Sequence, residues 1–475
     1  MEQLSTPLCV DVDGTLVRTN TLFEAALSAI KRKPSVIFEL LSASFKGKSA
    51  VKHVIGTHAE LSPGSFTYNK EFLSWLRTQH VNKRPLILTT ASDKTIADAI
   101  AQELGIFSEV IASTQQTPVS ANGKYKILCK RFGTKKFAYA GNSQADISVW
   151  QCAASAVLVN TNPKVTSQAR SLLTIEAEFL TKATITPRAL LKTIRSHQWV
   201  KNALLFTAPI AAHRISDPAI FIQTVVGFIS FSCIASSIYI FNDLFDLPSD
   251  RSHATKRFRL IAAGTISLFH ATLLGISMAL AGIIIAFIFL PTAFLGILAL
   301  YIVITSTYSL RLKKIPYTDI VVLAGLYILR IVAGSAATGI PTSKWLFLFA
   351  AWLFISLGIA KRVTELKRLK HTEQVAIGRG YTKRDTELLI ALGLTSALFA
   401  CIVLGFYAVS PVVSHLYSHP KNLIWMAPVF GLWIIRMWKH AIAGSLPEDP
   451  VLFAIKDYGS YIAIAGLCII LLLAI

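Results

Sequence analysis

Charge is scarce in this chain, and acid is scarcest. Of 475 residues, 26 are Asp or Glu against 47 Lys or Arg, and charged residues make up only 15%. Soluble domains carry about a quarter, so a wholly soluble chain is not expected. Cysteine is sparse and scattered (Cys9, Cys129, Cys152, Cys233, Cys401, Cys468), with no CxxC pair. That argues against a structural zinc site or a disulfide framework and for buried free thiols in a reducing compartment. The histidines show no HExxH or comparable metal spacing. The start, "MEQLSTPLCV", has neither a basic n-region nor an apolar h-region, so no cleavable signal is expected and the first domain is expected to stay in the cytosol.

What is abundant is apolar sequence, 53% of the chain, and it is unevenly spread. Up to about residue 185 charged and apolar residues mix as in a globular protein. Beyond it, long apolar runs alternate with short basic loops. Two domains are expected, a soluble one over 1–185 and a polytopic membrane domain over 186–475. A spanning helix needs about 20 apolar residues. Candidates lie near 198–213, 219–242, 268–289, 292–310, 317–339, 344–360, 386–409, 422–438 and 457–475, about nine spans. The net charge of +21 does not point to nucleic acid, because the bases sit in loops. Arg251, Lys256, Arg257 and Arg259, then Arg311, Lys313 and Lys314, then Lys361, Arg362, Lys367, Arg368, Lys370, Arg379, Lys383 and Arg384 all follow even-numbered spans. These loops are expected on the cytosolic side, with the N-terminal domain.

One junction breaks the apolar pattern. "FNDLFDLPSDRSHATKRFR" (241–259) sets Asp243, Asp246 and Asp250 at i, i+3 and i+7, followed by Lys256, Arg257 and Arg259. A continuing helix would stack the three carboxylates on one side. Such a stack repels itself unless a divalent cation sits in it, and hard oxygen ligands suit Mg²⁺ shared with substrate phosphates. Asn242 adds an amide, and the bases could hold the remaining phosphate oxygens. A helix exit with headgroup anchors would explain one Asp or one basic cluster. It explains the whole arrangement poorly.

This stretch resembles the first aspartate-rich motif of the UbiA superfamily of intramembrane prenyltransferases, all-α proteins of nine helices that bind a diphosphate through Mg²⁺ at the cytosolic side. "RSHQWVKNALLFTAPIAA", "YSLRLKKIPYTDIVVLAG" and "KRVTELKRL" resemble the decaprenyl-phosphate phosphoribosyltransferase branch more closely. That resemblance covers about residue 190 to the end. It implies substrate binding by Lys201, Asn242, Lys256, Arg257, Arg259, Tyr308, Asp319, Lys361, Arg362 and Glu365. Ala254 and Leu260 stand where prolines would be expected, which affects loop stiffness more than chemistry. Asp319 has Leu323 four residues on, so the second DxxxD motif of ordinary prenyltransferases is incomplete. In "KRVTEL", Lys361 and Glu365 share a helix face.

In the first domain, "LCVDVDGTLVRTN" (8–20) reads as a buried parallel strand opening into a tight turn, where α/β sheets place ligands. Paired carboxylates Asp11 and Asp13 suit phosphoryl transfer, one attacking phosphorus and one handling a proton. "RPLILTTASDKT", Lys124 in "NGKYKILCKRFG", and "FAYAGNSQADISVW" follow in order. Together they resemble the haloacid dehalogenase superfamily of phosphatases, a Rossmannoid parallel sheet with a cap, here over 20–83. The resemblance implies Asp11 as nucleophile, Asp13 as acid/base, Thr90 as phosphate-binding hydroxyl, and Lys124 as charge partner, with Lys126 its alternate. Mg²⁺ would be held by Asp11, Asp13, Asn142 and Asp146; Asn142 replaces a common Asp of that site, which weakens it and leaves a slow or scaffold-only domain as the alternative.

The expected enzyme transfers 5-phosphoribose from phosphoribosyl pyrophosphate to a polyprenyl phosphate in the inner membrane, using Mg²⁺, and its first domain removes the 5′-phosphate. The alternative is an isoprenoid transfer to an aromatic acceptor. The lone Asp319 counts against it.

Overall fold

The computed structural model describes residues 6–60, 64, 66–113, 121–180, 186–369, 380–447 and 450–475. The expected loop bases Lys370 and Arg379, and the expected domain junction at 185, lie outside them. The chain divides into two compact units, Met1–Ile194 with Tyr239–Gly275, and Arg195–Ile238 with Ile276–Ile475.

The first unit is built on six parallel strands: β1 (Leu8–Asp11), β2 (Leu86–Asp93), β3 (Glu109–Ser113), β4 (Ala138–Gly141), β5 (Ser155–Val159) and β6 (Thr174–Phe179). Their order is β3-β2-β1-β4-β5-β6. β1, β4 and β5 are buried along their whole length, as apolar strands covered on both faces must be. Leu8 and Val10 point to one core with Leu88 and Val157, whereas Cys9 points to the other with Ile87, Tyr139 and Trp150. Strand order reverses direction between β1 and β4, so the carboxyl ends of these strands open a crevice there. Asp11 is the last residue of β1, opposite Thr89 of β2.

Four helices separate β1 from β2: α1 (Thr21–Arg32), α2 (Val36–Lys46), α3 (Lys48–His58) and α4 (Lys70–Val81). Only the first three form the cap. α4 lays Phe72 and Leu76 on the sheet with Leu8 and Val10, so the cap is smaller than the expected 20–83. The Tyr239–Gly275 part of this unit packs Ile240, Leu244, Leu247 and Ile261 with Leu27 of α1.

The protein is a multi-pass membrane protein. Among the described residues, six helices are long and apolar enough to cross a bilayer: Pro218–Phe245, Leu268–Phe289, Thr292–Leu310, Thr318–Thr338, Lys344–Lys367 and Lys383–Ala408. Met426–Ile442 and Tyr458–Ala474 are shorter helices of 17 residues. The span expected at 198–213 is not one helix. It runs as a 3-10 stretch over Ser196–Phe206 and then a short turn, Thr207–Ala211. Trp199 Nε1 donates to Ser236 Oγ and Asn202 Nδ2 to Ser232 Oγ, both at 2.9 Å, which ties this irregular segment to the neighbouring helix. The six cysteines are free, but only Cys9 and Cys233 are buried; Cys468 is exposed.

Candidate functional site

The carboxyl ends of β1, β2 and β4 gather the expected residues of the first domain. Asp11 is 5% exposed. Lys124, from the helix Ala121–Phe132, donates to its Oδ1, and Thr15 Oγ1 donates to Oδ2 at 3.2 Å. Burial pushes the Asp11 carboxyl up to about 7; Lys124 opposes this, and Asp146 and Asp13 add to it. Burial works against the Lys124 charge, but Asp11, Asp146 and Asp13 outweigh it and raise its pKa. Lys126 is exposed and does not take this place.

Asp13 Oδ1 accepts from the Thr21 amide at 2.7 Å, and Oδ2 accepts from Ser92 Oγ at 2.7 Å. Thr90 is fully buried, its Oγ1 accepting from the Ser92 amide at 3.0 Å. Asp146 Oδ1 accepts from Tyr139 OH at 2.9 Å, and Oδ2 accepts from the amides of Asn142 and Ser143 at 3.0 and 2.9 Å. The Tyr139 hydroxyl also accepts from Lys124 Nζ at 3.4 Å, so Asp11, Lys124, Tyr139 and Asp146 form one buried chain. The Asn142 amide lies against Gly14, whose φ is +77°; a Cβ there would fall 2.0 Å from Nδ2. Tyr139, Ser92 and Thr21 are functional neighbours that sequence reasoning missed. Ser92 alone had a signal, two residues after Thr90 in the hydroxyl-rich end of β2.

In the same unit, the membrane-edge motif is not the single stack its spacing suggests. The Pro218–Phe245 helix stops before Asp246, and a new turn of helix runs from Leu247 to Ser252. Pro248 has no N–H to give the carbonyl of Leu244, which ends the first helix. Arg259 Nη1 donates to Asp243 Oδ1 at 2.9 Å and to Asp250 Oδ2 at 2.6 Å, so a base does sit between these acids. Asp246 turns elsewhere: Lys31 Nζ, at the end of α1, donates to its Oδ1 and to the Phe245 carbonyl, each at 2.8 Å. Arg251 makes a two-pronged pair with Glu24 of α1 at 2.8 Å per contact, with side chains 8% and 4% exposed. Asn242 and Lys256 are half-buried and Arg257 is exposed, with its guanidinium over the Phe258 ring at 4.9 Å.

Among the described residues, no three His, Cys, Asp or Glu side chains are grouped closely enough to enclose a metal ion. The donor chemistry nevertheless fits Mg²⁺ at both places. Asp243 and Asp250 converge on one cationic nitrogen of Arg259, and Mg²⁺ commonly takes one or two carboxylates with phosphate oxygens and water. In the crevice, Asp11, Asp13 and Asp146 outnumber the single charge of Lys124.

The second unit holds another buried charge group. Arg362 is 1% exposed. Its Nε donates to Asp319 Oδ2 and its Nη1 to Glu365 Oε2, both at 2.6 Å, with Tyr308 OH at 3.5 Å from Nη2. Tyr381 OH donates to the other Asp319 oxygen at 2.6 Å. Glu365 therefore pairs with Arg362. Lys201 is half-buried beside Asn202. Arg330 was not anticipated: it lies 4% exposed within Thr318–Thr338, donating to Asn202 Oδ1 at 3.0 Å and to Tyr301 OH at 3.2 Å. Its only sequence signal is a lone base in an apolar run, where charge is costly and seldom idle.

The UbiA prenyltransferase family profile matches residues 203–456. An uncharacterized protein of Sinorhizobium fredii, y4nM, is 36% identical over 460 residues, 96% of this chain and 88% of that one. The decaprenyl-phosphate phosphoribosyltransferase of Mycolicibacterium smegmatis is 30% identical over 278 residues, 56% of this chain and 86% of that one. A phosphoserine phosphatase solved as a phospho-aspartyl intermediate analogue aligns with 38% of this chain and 95% of its own, at TM-score 0.27 and 14% identity.

Proposed function

We propose, from the premise that the chain belongs to the UbiA prenyltransferase family, that it is a membrane transferase that moves 5-phosphoribose from phosphoribosyl pyrophosphate to a polyprenyl phosphate, and that its first domain is a phosphatase. An oxygen of the lipid phosphate attacks C1 of the ribose, and the bond from C1 to pyrophosphate breaks. That oxygen is already anionic at neutral pH, so no general base is required. Catalysis rests on orienting the two substrates and stabilising the departing pyrophosphate. Asp243 and Asp250 would hold Mg²⁺ once Arg259 leaves them for a phosphate oxygen, and Asp246 would join them on release from Lys31, with Lys256 and Arg257 also on phosphate oxygens. Bound there, the metal supplies a positive charge that offsets the charge growing on the leaving group.

The observation that carries the donor choice is the engagement of Asp319 by Arg362 and Tyr381. Asp319 also has Leu323, not a second acid, four residues on, so the second metal cluster that a prenyl diphosphate donor would use lacks one of its two carboxylates. The names of relatives over the membrane half point the same way. The loops rich in Lys and Arg are assigned to the cytosolic side of the inner membrane, the side also assigned to the first domain.

In that first domain, Asp11 would attack the 5′-phosphate of the product and form an aspartyl phosphate. Asp13 gives the proton to the departing ribose oxygen, and water then releases phosphate. Thr90 and Lys124 bind the phosphoryl oxygens. Asp11, Asp13 and Asp146, with Asn142 beside them, would hold Mg²⁺. Loss of the phosphate makes the two steps effectively irreversible.

Membranes carrying the protein, incubated with labelled phosphoribosyl pyrophosphate, Mg²⁺ and a polyprenyl phosphate, should yield labelled lipid. Asp246→Asn and Asp250→Asn should abolish it. Full labelling by both variants would remove the metal assignment, and transfer from a prenyl diphosphate to an aromatic acid would replace the reaction itself.

A further inference from the structure

The cap helix α2 carries an apolar face that its own fold does not use. Val36 and Ala43 are buried, which is the side the helix turns to the domain. Ile37, Phe38, Leu41 and Phe45 lie at i, i+1, i+4 and i+8, one contiguous arc of the helix. They are exposed by 42%, 74%, 56% and 91%. Two open phenylalanines and two aliphatic side chains on one soluble-domain helix are more than scattered surface apolarity.

Two further observations say what covers this face. Between residues 31 and 48 the sequence carries five bases, Lys31, Arg32, Lys33, Lys46 and Lys48, against one acid, Glu39; Lys31, Arg32 and Lys33 pair with Asp246, Glu60 and Glu39, every one of these side chains being at least a third exposed, so the segment keeps an open, net positive surface. An apolar helical face flanked by bases is the pattern of a helix lying in the headgroup zone of an anionic bilayer. The position fits as well. α2 follows α1 after three residues, and Lys31 in the last turn of α1 bonds Asp246 and the Phe245 carbonyl, where the Pro218–Phe245 membrane helix ends. Within this unit, α2 therefore starts at the level where a spanning helix leaves the hydrocarbon.

We propose that α2 is an interfacial helix, with the Ile37, Phe38, Leu41 and Phe45 face seated in the leaflet next to the Asp246 end of the span, and with Arg32, Lys33 and Lys46 towards anionic headgroups. The first domain would then be held against the lipid surface by its own cap, independently of the chemistry it performs.

The test uses the full-length protein in vesicles, with the photoreactive benzoylphenylalanine replacing Phe38 or Phe45. Irradiation should give lipid adducts at both positions, with several-fold more in vesicles containing phosphatidylglycerol than in phosphatidylcholine alone. Val81 is equally open, at 77%, but lies at the end of the sheet where β2 begins, opposite Asp11. The same probe there should give little lipid adduct. Adducts between two copies of the chain, or lipid yields at 38 and 45 no higher than at 81, would overturn the proposal. An unchanged yield without anionic lipid would overturn the role given to the bases.

Discussion

At the scale of single residues, Tyr139 ties Lys124 to Asp146 yet has no mark in the sequence beyond being an aromatic in a buried strand. Asp146 keeps three other hydrogen bonds, two from amides and one from Ser143 Oγ at 2.9 Å. Tyr139→Phe therefore removes two buried bonds, the one to Asp146 at 2.9 Å and the longer one from Lys124 at 3.4 Å, a cost of about 1 kcal/mol that falls mostly on the first. It should slow phosphate release from the transfer product by roughly fivefold and leave lipid labelling unchanged. Asp11, Lys124 and Asp146 were legible because motif residues at strand ends declare themselves by order and type. The pairing of Asp319 with Arg362 was not, since 43 positions separate them and the motif around each points to substrate instead. Removing one partner of a buried pair leaves a charge unpaired and costs about 3–5 kcal/mol. Arg362→Met should lower the unfolding temperature in detergent and abolish labelling. Arg362→Lys should also lose labelling, because an ammonium cannot meet Asp319, Glu365 and Tyr308 in one plane.

At the scale of elements, α1 joins two candidate sites that the sequence presents as separate. Its first amide, at Thr21, binds Asp13, and its last turn binds Asp246 through Lys31. Between them, Glu24 grips Arg251. The Lys31 contact is half-exposed, so its effect should be electrostatic and salt-sensitive. Lys31→Ala should raise the KM for phosphoribosyl pyrophosphate more than it lowers kcat, and the difference from the parent should shrink as salt rises towards about 1 M. Glu24→Gln breaks a nearly buried pair and should loosen the Tyr239–Gly275 segment, seen as faster amide hydrogen exchange over 247–264. The apolar spans were legible by length and composition. The ending of the helix at Phe245 and the 3-10 path of Ser196–Phe206 were not, because Pro248, Trp199 and Asn202 override a pattern that counts only apolar residues.

At the scale of the whole molecule, composition alone separated a mixed first part from an apolar second one. It did not foresee that Tyr239–Gly275, lying between membrane helices in sequence, forms part of the first compact unit. Such grouping depends on contacts made far along the chain, between Leu27 and Leu244 or Glu24 and Arg251, and no local pattern encodes them. The proposed order of reactions, transfer and then dephosphorylation, gives this grouping a use. The most direct measurement is mass analysis of the lipid made from phosphoribosyl pyrophosphate and a polyprenyl phosphate by the parent protein and by Asp11→Asn. The account predicts a polyprenyl phosphoribose without a 5′-phosphate from the parent, and the same lipid retaining that phosphate from Asp11→Asn. Absence of any ribosylated lipid from the parent, under conditions where a prenyl diphosphate is consumed, would contradict it.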